Sequence, residues 1–170
     1  RQALDSTVSP MGGRLLKRWM VLPLLDPIAI QERLDTVEHL VAHPELRAGL
    51  IQAIKQAGDV ERLVSRVPLR KVGPRDVLQL ARGLQQAEQI KQVAAASTQP
   101  YLKRLAESIN PGIGLRDRIL QTLHENPPAL TVKGGFIAAG VDAQLDELRD
   151  IANGGKNYLA ELQQREAEIT

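Results

Sequence analysis

Proline narrows the choices for this chain more than any other residue, because it heads almost every apolar stretch. Its ring fixes φ, and its missing N–H is tolerated in the first turn of a helix but not in the interior. Ser9-Pro10, Asp26-Pro27, Gly73-Pro74 and Pro100 each open a run of helical periodicity, and His43-Pro44 ends one run as the next begins. Asn110-Pro111-Gly112 separates two more, and Asn126-Pro127-Pro128 is a firm stop. The chain is thereby divided into short helices that become stable only by packing on one another.

The apolar positions define the faces. Ser9 is the N-cap of the first helix, in which Leu15, Leu16, Trp19, Met20 and Leu22 form a face expected to be buried. Gly12 and Gly13 are poor helix formers there and predict close approach by another backbone. Ile30, Leu34, Val37, Leu40 and Val41 mark the second helix; Leu46, Leu50, Ile51 and Ile54 mark the third, with Gly58 after its end. Asp59 caps a short helix from Val60 to Arg66, with Leu63 and Val67 inward. The longest pattern in this half follows Pro74: Val77, Leu80, Leu84, Ala87, Ile90 and Ala94, with a glutamine-rich polar face that predicts contact on more than one side. Leu102, Leu105 and Ala106, then Leu115, Ile119, Leu120 and Leu123, carry two further helices.

One stretch is strand-like. Ala129-Leu130-Thr131-Val132 and Phe136-Ile137 flank Lys133-Gly134-Gly135 and predict a small β-hairpin. Helical spacing resumes from Asp142, an N-cap, through Leu145, Leu148, Ala152, Leu159, Leu162 and Ile169. Unbroken to Thr170 it would extend roughly 43 Å at 1.5 Å per residue, with Gly154 and Gly155 as a potential kink. Beyond Asn157 the stripe narrows, as in an arm that meets one neighbour. The expected fold is all-α, with residues 1–141 as a helical core, the small hairpin within it, and 142–170 as the start of a long C-terminal helix of the same structural domain.

Composition limits function. Aromatic residues are only 2%, so the core must be Leu, Ile, Val and Ala, and a base-stacking surface for single-stranded nucleic acid has too few rings. Net charge +2 is too mild to imply nucleic-acid binding by itself. The ends differ in sign: residues 1–25 hold Arg1, Arg14, Lys17 and Arg18 against Asp5, whereas 142–170 is predominantly acidic. The chain has no cysteine, which excludes disulfides, thiolate zinc sites and a cysteine nucleophile and is compatible with a cytosolic setting. No apolar run reaches transmembrane length. Arg1 is not an initiator methionine and helical spacing runs to the last residue, so the chain reads as a fragment of a longer protein.

The candidate chemical motifs each fall short. His39 and His43 share a helix face but lack the intervening glutamate of a zinc-protease helix. Gly154-Gly155-Lys156-Asn157 lacks the first glycine and the Ser or Thr of a phosphate loop, and Gly112 and Gly114 are followed by Asp117 where a dinucleotide fingerprint needs glycine. Asp142, Asp146, Glu147 and Asp150 form an acidic patch without an enclosing apolar wall, which reads as a solvated face. Arg62, Arg66, Arg70, Lys71 and Arg75 form a basic run with Asp59, Glu61 and Asp76 interspersed, open to phosphate contact or to intramolecular pairing. No catalytic, cofactor-binding or metal-binding residue is assigned.

Three stretches in order resemble the core (lever) domain of the MutS family of DNA mismatch-repair ATPases. The first runs from Thr7 to Trp19, with Met11, Gly12, Arg14 and Trp19 in the family's signature and Pro23-Leu24 behind it. The second is Asp59 to Arg66, including Arg62, followed by Pro74-Arg75-Asp76-Val77. The third is Gly135-Phe136-Ile137-Ala138-Ala139-Gly140 leading into Leu145, Asp146, Glu147, Leu148 and Arg149, then Gly155, Tyr158-Leu159 and Arg165-Glu166. The resemblance implies a structural and allosteric core with a lever helix that passes into a DNA clamp. It implies no catalysis here, ATP and Mg bound elsewhere in the full-length protein, and a cytoplasmic, nucleoid-associated location. The implied partners are mismatched duplex DNA, a second MutS subunit and a MutL-type protein, with no membrane. The family's mismatch-reading Phe-x-Glu is not met, since Phe136 is followed by Ile137-Ala138, and the Walker motifs are not in this sequence. Alternatives are the core of a related branch outside mismatch repair, a free-standing helical interaction module, or a helical enzyme using the acidic patch.

Overall fold

The computed structural model describes residues 4–155. Seven helices follow the proline marks: α1 (Pro10–Val21), α2 (Pro27–Ala42), α3 (Pro44–Ala57), α4 (Val60–Arg66), α5 (Pro74–Ala95), α6 (Pro100–Ser108) and α7 (Ile113–Thr122). An eighth stretch, α8, is helical over 143–155. Proline occupies the first turn of α1, α2, α3, α5 and α6. The caps are those expected of the residues: Ser9 accepts from Gly12 N–H, Asp26 from Ile28 N–H and Asp59 from Arg62 N–H. Gly58 ends α3 at φ 69°, a left-handed conformation that suits glycine.

Helix α5 is the axis, and α3, α4, α6 and α7 pack around it. Its most buried side chains are Ala81, 0% exposed, and Leu78 and Ala94, each 4%. Val77, Leu80, Leu84, Ala87 and Ile90 are half-buried on neighbouring faces, so the prediction of contact on several sides holds. Where α4 crosses α5, Gly83 permits the approach: a Cβ there would lie 2.9 Å from the Ala57 carbonyl oxygen and also strike Val60. Leu50 of α3, Ala94 of α5 and Ala106 of α6 form the second part of the core, with Leu40, Leu46, Ile54 and Ile90 against it. Polar ties supplement the packing: Lys91 donates to the Ile109 carbonyl at 2.9 Å, Arg104 pairs with Glu32 at 2.6 Å, and Arg116 joins Glu88 of α5 to α7.

The first two helices differ from expectation. No residue of α1 is buried, and on α2 the buried residue is Thr36. Trp19, Met20 and Leu22 of the expected inward face are exposed, as are Ile30, Leu34, Val37 and Val41. The neighbours of Gly12 and Gly13 are the side chains of Asp5, Thr7 and Ser9 in the lead-in to the helix, in place of another backbone. The apolar stripe identified a surface that needs a partner; the partner does not come from within the described residues.

The β-hairpin is also corrected. Among the described residues there is no strand; Thr131–Lys133 form one 3₁₀ turn, and one antiparallel bridge joins Leu123 to Ile137. Gly134, at φ 64° and ψ −167°, extends the chain and does not reverse it as a two-residue hairpin turn would. Phe136 and Ile137 therefore return to the end of α7: His124 N–H donates to the Phe136 carbonyl and Ala138 N–H to that of Thr122, both at 2.9 Å. Asp142 caps α8 through Leu145 N–H at 3.0 Å, as expected, and Gly154 and Gly155 remain helical. The continuation of this helix to Thr170, with Tyr158, Leu159 and Leu162, lies outside the described residues.

Candidate functional site

Arg14 is the best-defined polar centre. It stands one turn into α1, and its guanidinium reaches the N-cap and first turn of α4. Nη1 and Nη2 donate to the two carboxylate oxygens of Asp59 at 3.0 and 2.6 Å, while Nε and Nη2 donate to Glu61 Oε2 at 3.0 and 2.7 Å. The planar fork of arginine fits this two-carboxylate acceptor, whereas lysine offers only a point charge. Hydrogen bonds donated to Asp59 first, and then to Glu61, hold the Arg14 guanidinium above its already high ordinary pKa. The same bond to Arg14 holds the Asp59 carboxyl below the usual aspartate value. Asp59 also caps α4, so one carboxylate fixes a helix start and receives α1.

This clasp joins the first signature stretch to the second. A second contact holds the far end of α1, where the Arg33 guanidinium of α2 lies 4.0 Å from the Trp19 ring centroid. Thus α1 is attached at both ends by charged groups and along neither face by a buried apolar side chain.

The remaining signature residues take three kinds of place. Pro74 is buried at the start of α5; Asp76 accepts from Gly73 N–H at 3.1 Å and pairs with Arg66 at 3.2 Å. In the third stretch Gly140, at φ 82°, donates its N–H to Asp146 at 2.6 Å, and Arg149 donates to the Ile137 carbonyl at 2.9 Å, which docks α8 on the returning segment. Leu145 is half-buried there. Pro23, Arg62, Arg75, Gly135 and Leu148 are exposed, and Met11 and Gly12 are half-buried. Sequence reading left the partner of Arg14 unnamed, although Asp59 and Glu61 stood together in the next signature stretch. It did not find Arg33, for which no local spacing gives a signal.

The histidine pair serves packing. The rings of His39 and His43 stack with centroids 4.0 Å apart; His39 Nε2 meets Ser97 Oγ at 3.1 Å and His43 Nδ1 meets the His39 carbonyl at 2.8 Å. Among the described residues no three His, Cys, Asp or Glu side chains gather as metal ligands, and no helix is long and apolar enough to cross a membrane. In the acidic patch, Asp142 is a cap and Asp146 is taken by Gly140 and Arg149. Of the basic run, Arg66 alone forms an ion pair among the described residues.

The fold and this centre define a helical core domain whose polar residues serve attachment between helices. The family model for MutS domain III matches residues 1–170, and the chain belongs to that family. It is 50% identical over 169 residues to the DNA mismatch repair protein MutS of Cytophaga hutchinsonii, covering 99% of this chain and 20% of the relative. With the protein of the same description from Bacteroides fragilis it shares 47% identity over 167 residues, covering 98% of this chain and 19% of the relative. The Porphyromonas gingivalis protein is 42% identical over the same length. The chain thus spans about a fifth of these relatives.

Proposed function

We propose that this chain is the structural and allosteric core of a MutS-type DNA mismatch-repair ATPase, coupling nucleotide state to the DNA clamps without catalysis or mismatch reading of its own. The match of residues 1–170 to MutS domain III is the observation that carries this reading. The geometry supports it in two ways. Helix α5, packed on several sides, is a rigid base, while α1 is held to α4 by the Arg14 clasp and to α2 by the Arg33–Trp19 contact. A rigid base with a charge-held outer helix suits a part that passes movement from one neighbour to another. In this reading the uncovered apolar surface of α1 and α2 meets the remainder of the larger protein, α8 begins the lever, and ATP and Mg are bound elsewhere. The working partners are mismatched duplex DNA, a second MutS subunit and a MutL-type protein, in the cytoplasm at the nucleoid.

The test exchanges this chain for the matching segment of the Bacteroides fragilis relative. The chimera is expected to bind heteroduplex DNA and to change that affinity when ATP is added. Arg14→Gln in the chimera is expected to weaken the response to ATP while leaving heteroduplex affinity without nucleotide unchanged. A response to ATP that survives the substitution intact would remove the clasp from the coupling route. Calorimetry with ATP and a band-shift assay on the 170-residue chain itself complete the test; tight, saturable binding of either would overturn the reading.

A further inference from the structure

The exposed side of α5 carries a second basic feature, separate from the clasp. Arg75, Gln79 and Arg82 follow one another at steps of four and three, so they share a face of the helix. They line an open cleft of about 410 Å³, closed on the far side by Asn126 and floored by buried Leu78 and Pro127. Arg82 uses one N–H on the Glu125 carbonyl at 3.2 Å, which holds it upright and leaves its other donors free. Arg75 is exposed and makes no hydrogen bond or ion pair among the described residues, in contrast to Arg14 and Arg66 of the same signature stretches.

We propose that this cleft docks an acidic segment of a protein partner, presenting two carboxylates to Arg75 and Arg82 and its main chain to Gln79. Seven residues of helix separate the arginine backbones by roughly 10 Å, a span covered by about three residues of extended chain. The amide of Gln79, midway between them, both donates and accepts, which suits a peptide group with its N–H and C=O. Phosphodiester backbone has acceptors only and gains nothing from a floor of leucine and proline. Those two features select an acidic polypeptide over a nucleic acid.

A fluorescein-labelled oligoglutamate of about ten residues is the probe, followed by anisotropy at physiological salt, with a short labelled duplex DNA of similar charge beside it. Arg75→Glu is the decisive variant because Arg75 has no internal partner to lose; Lys103→Glu, at an exposed position of α6, changes net charge equally and controls for long-range attraction. Arg75→Glu is expected to weaken oligoglutamate binding about tenfold beyond Lys103→Glu, and Gln79→Ala by a smaller factor. Equal weakening by both charge reversals, or no binding of oligoglutamate, would overturn the proposal. Tighter binding of the duplex, lost in Arg75→Glu, would overturn it too and assign the cleft to nucleic acid. Circular dichroism of each variant confirms an unchanged fold.

Discussion

Helices α5 and α1 both carry amphipathic stripes, and the chain treats them in opposite ways. Around α5 the apolar face is enclosed by α3, α4, α6 and α7, down to a fully covered Ala81. Along α1 nothing is buried; Trp19 is 42% exposed and Leu25, just beyond the helix, 89%. The first helix is held by arginines at its two ends. Burial is non-directional and roughly proportional to area, whereas a forked guanidinium on two carboxylates is directional and sensitive to salt. One chain thus contains a base fixed by packing and an outer helix fixed by position. The contrast predicts that damage to one should not spread to the other in the same way.

The largest effect belongs to the base. Leu78→Ala removes a buried side chain from the centre of α5 and should cost about 3 kcal/mol of stability, from lost burial and the cavity left behind. Gly83→Ala should cost about 2 kcal/mol for the opposite reason, because its Cβ meets Val60 and the Ala57 carbonyl oxygen. Both should appear in urea melts as a lower midpoint of the whole transition. If either left the midpoint in place, α5 would not be the common support of the fold.

Next comes the clasp. Arg14→Gln should leave the global melt nearly unchanged, since α1 adds no buried side chain to the core, but should speed hydrogen exchange of the α1 amides. Asp59→Asn should act on two helices at once, because Asp59 also caps α4, while Glu61→Gln leaves that cap in place and should act mainly on α1. A shift of the whole transition in Arg14→Gln as large as that of Leu78→Ala would erase the distinction between base and outer helix. Raising salt should mimic the substitution in part on α1.

The sequence disclosed the base far better than the outer helix. Proline and cap chemistry are local, so the starts of α1, α2, α3, α5 and α6 could be read residue by residue. The α5 stripe and its glutamine face also declared contact on several sides, as four helices provide. What failed was the inference from stripe to burial in α1 and α2, because periodicity reports that a face is apolar and says nothing about which segment covers it. The hairpin failed for a related reason: two β-prone runs around glycines were assigned to each other, while the nearer unpaired backbone lay at the end of α7. At the candidate site Arg14 was singled out and its acids stood in the next signature stretch. Joining them required the start of α4 to be brought beside α1, which is tertiary information.

A smaller effect follows from acid. Asp59 has a folded-state pKa lowered by Arg14 from its ordinary 3.8, so its contribution is fully present above that value. It is lost as pH falls through the lowered folded value, when the carboxylate that receives Arg14 becomes neutral. Hydrogen exchange of α1, corrected for intrinsic rates, should therefore stay flat from neutral pH to about 4 and accelerate relative to α5 only below it. In Asp59→Asn that local acceleration should shrink, because one of the two carboxylates that receive Arg14 no longer titrates.

The smallest effect concerns the other end of α1. Arg33 over Trp19 is an exposed cation–π contact, of order 0.5–1 kcal/mol, and it does not depend on a carboxylate. Trp19→Leu keeps an apolar side chain of helical preference while removing the ring. It should loosen the last turn of α1 and leave the first turn, tied through Arg14, protected. Trp19 fluorescence gives an independent reading: Arg33→Ala should change its emission and its accessibility to a neutral quencher, while Arg14→Gln should change both less. If Arg14→Gln altered Trp19 as much as Arg33→Ala does, the two ends of α1 would release as one unit, and the helix would be a single latch with two fastenings.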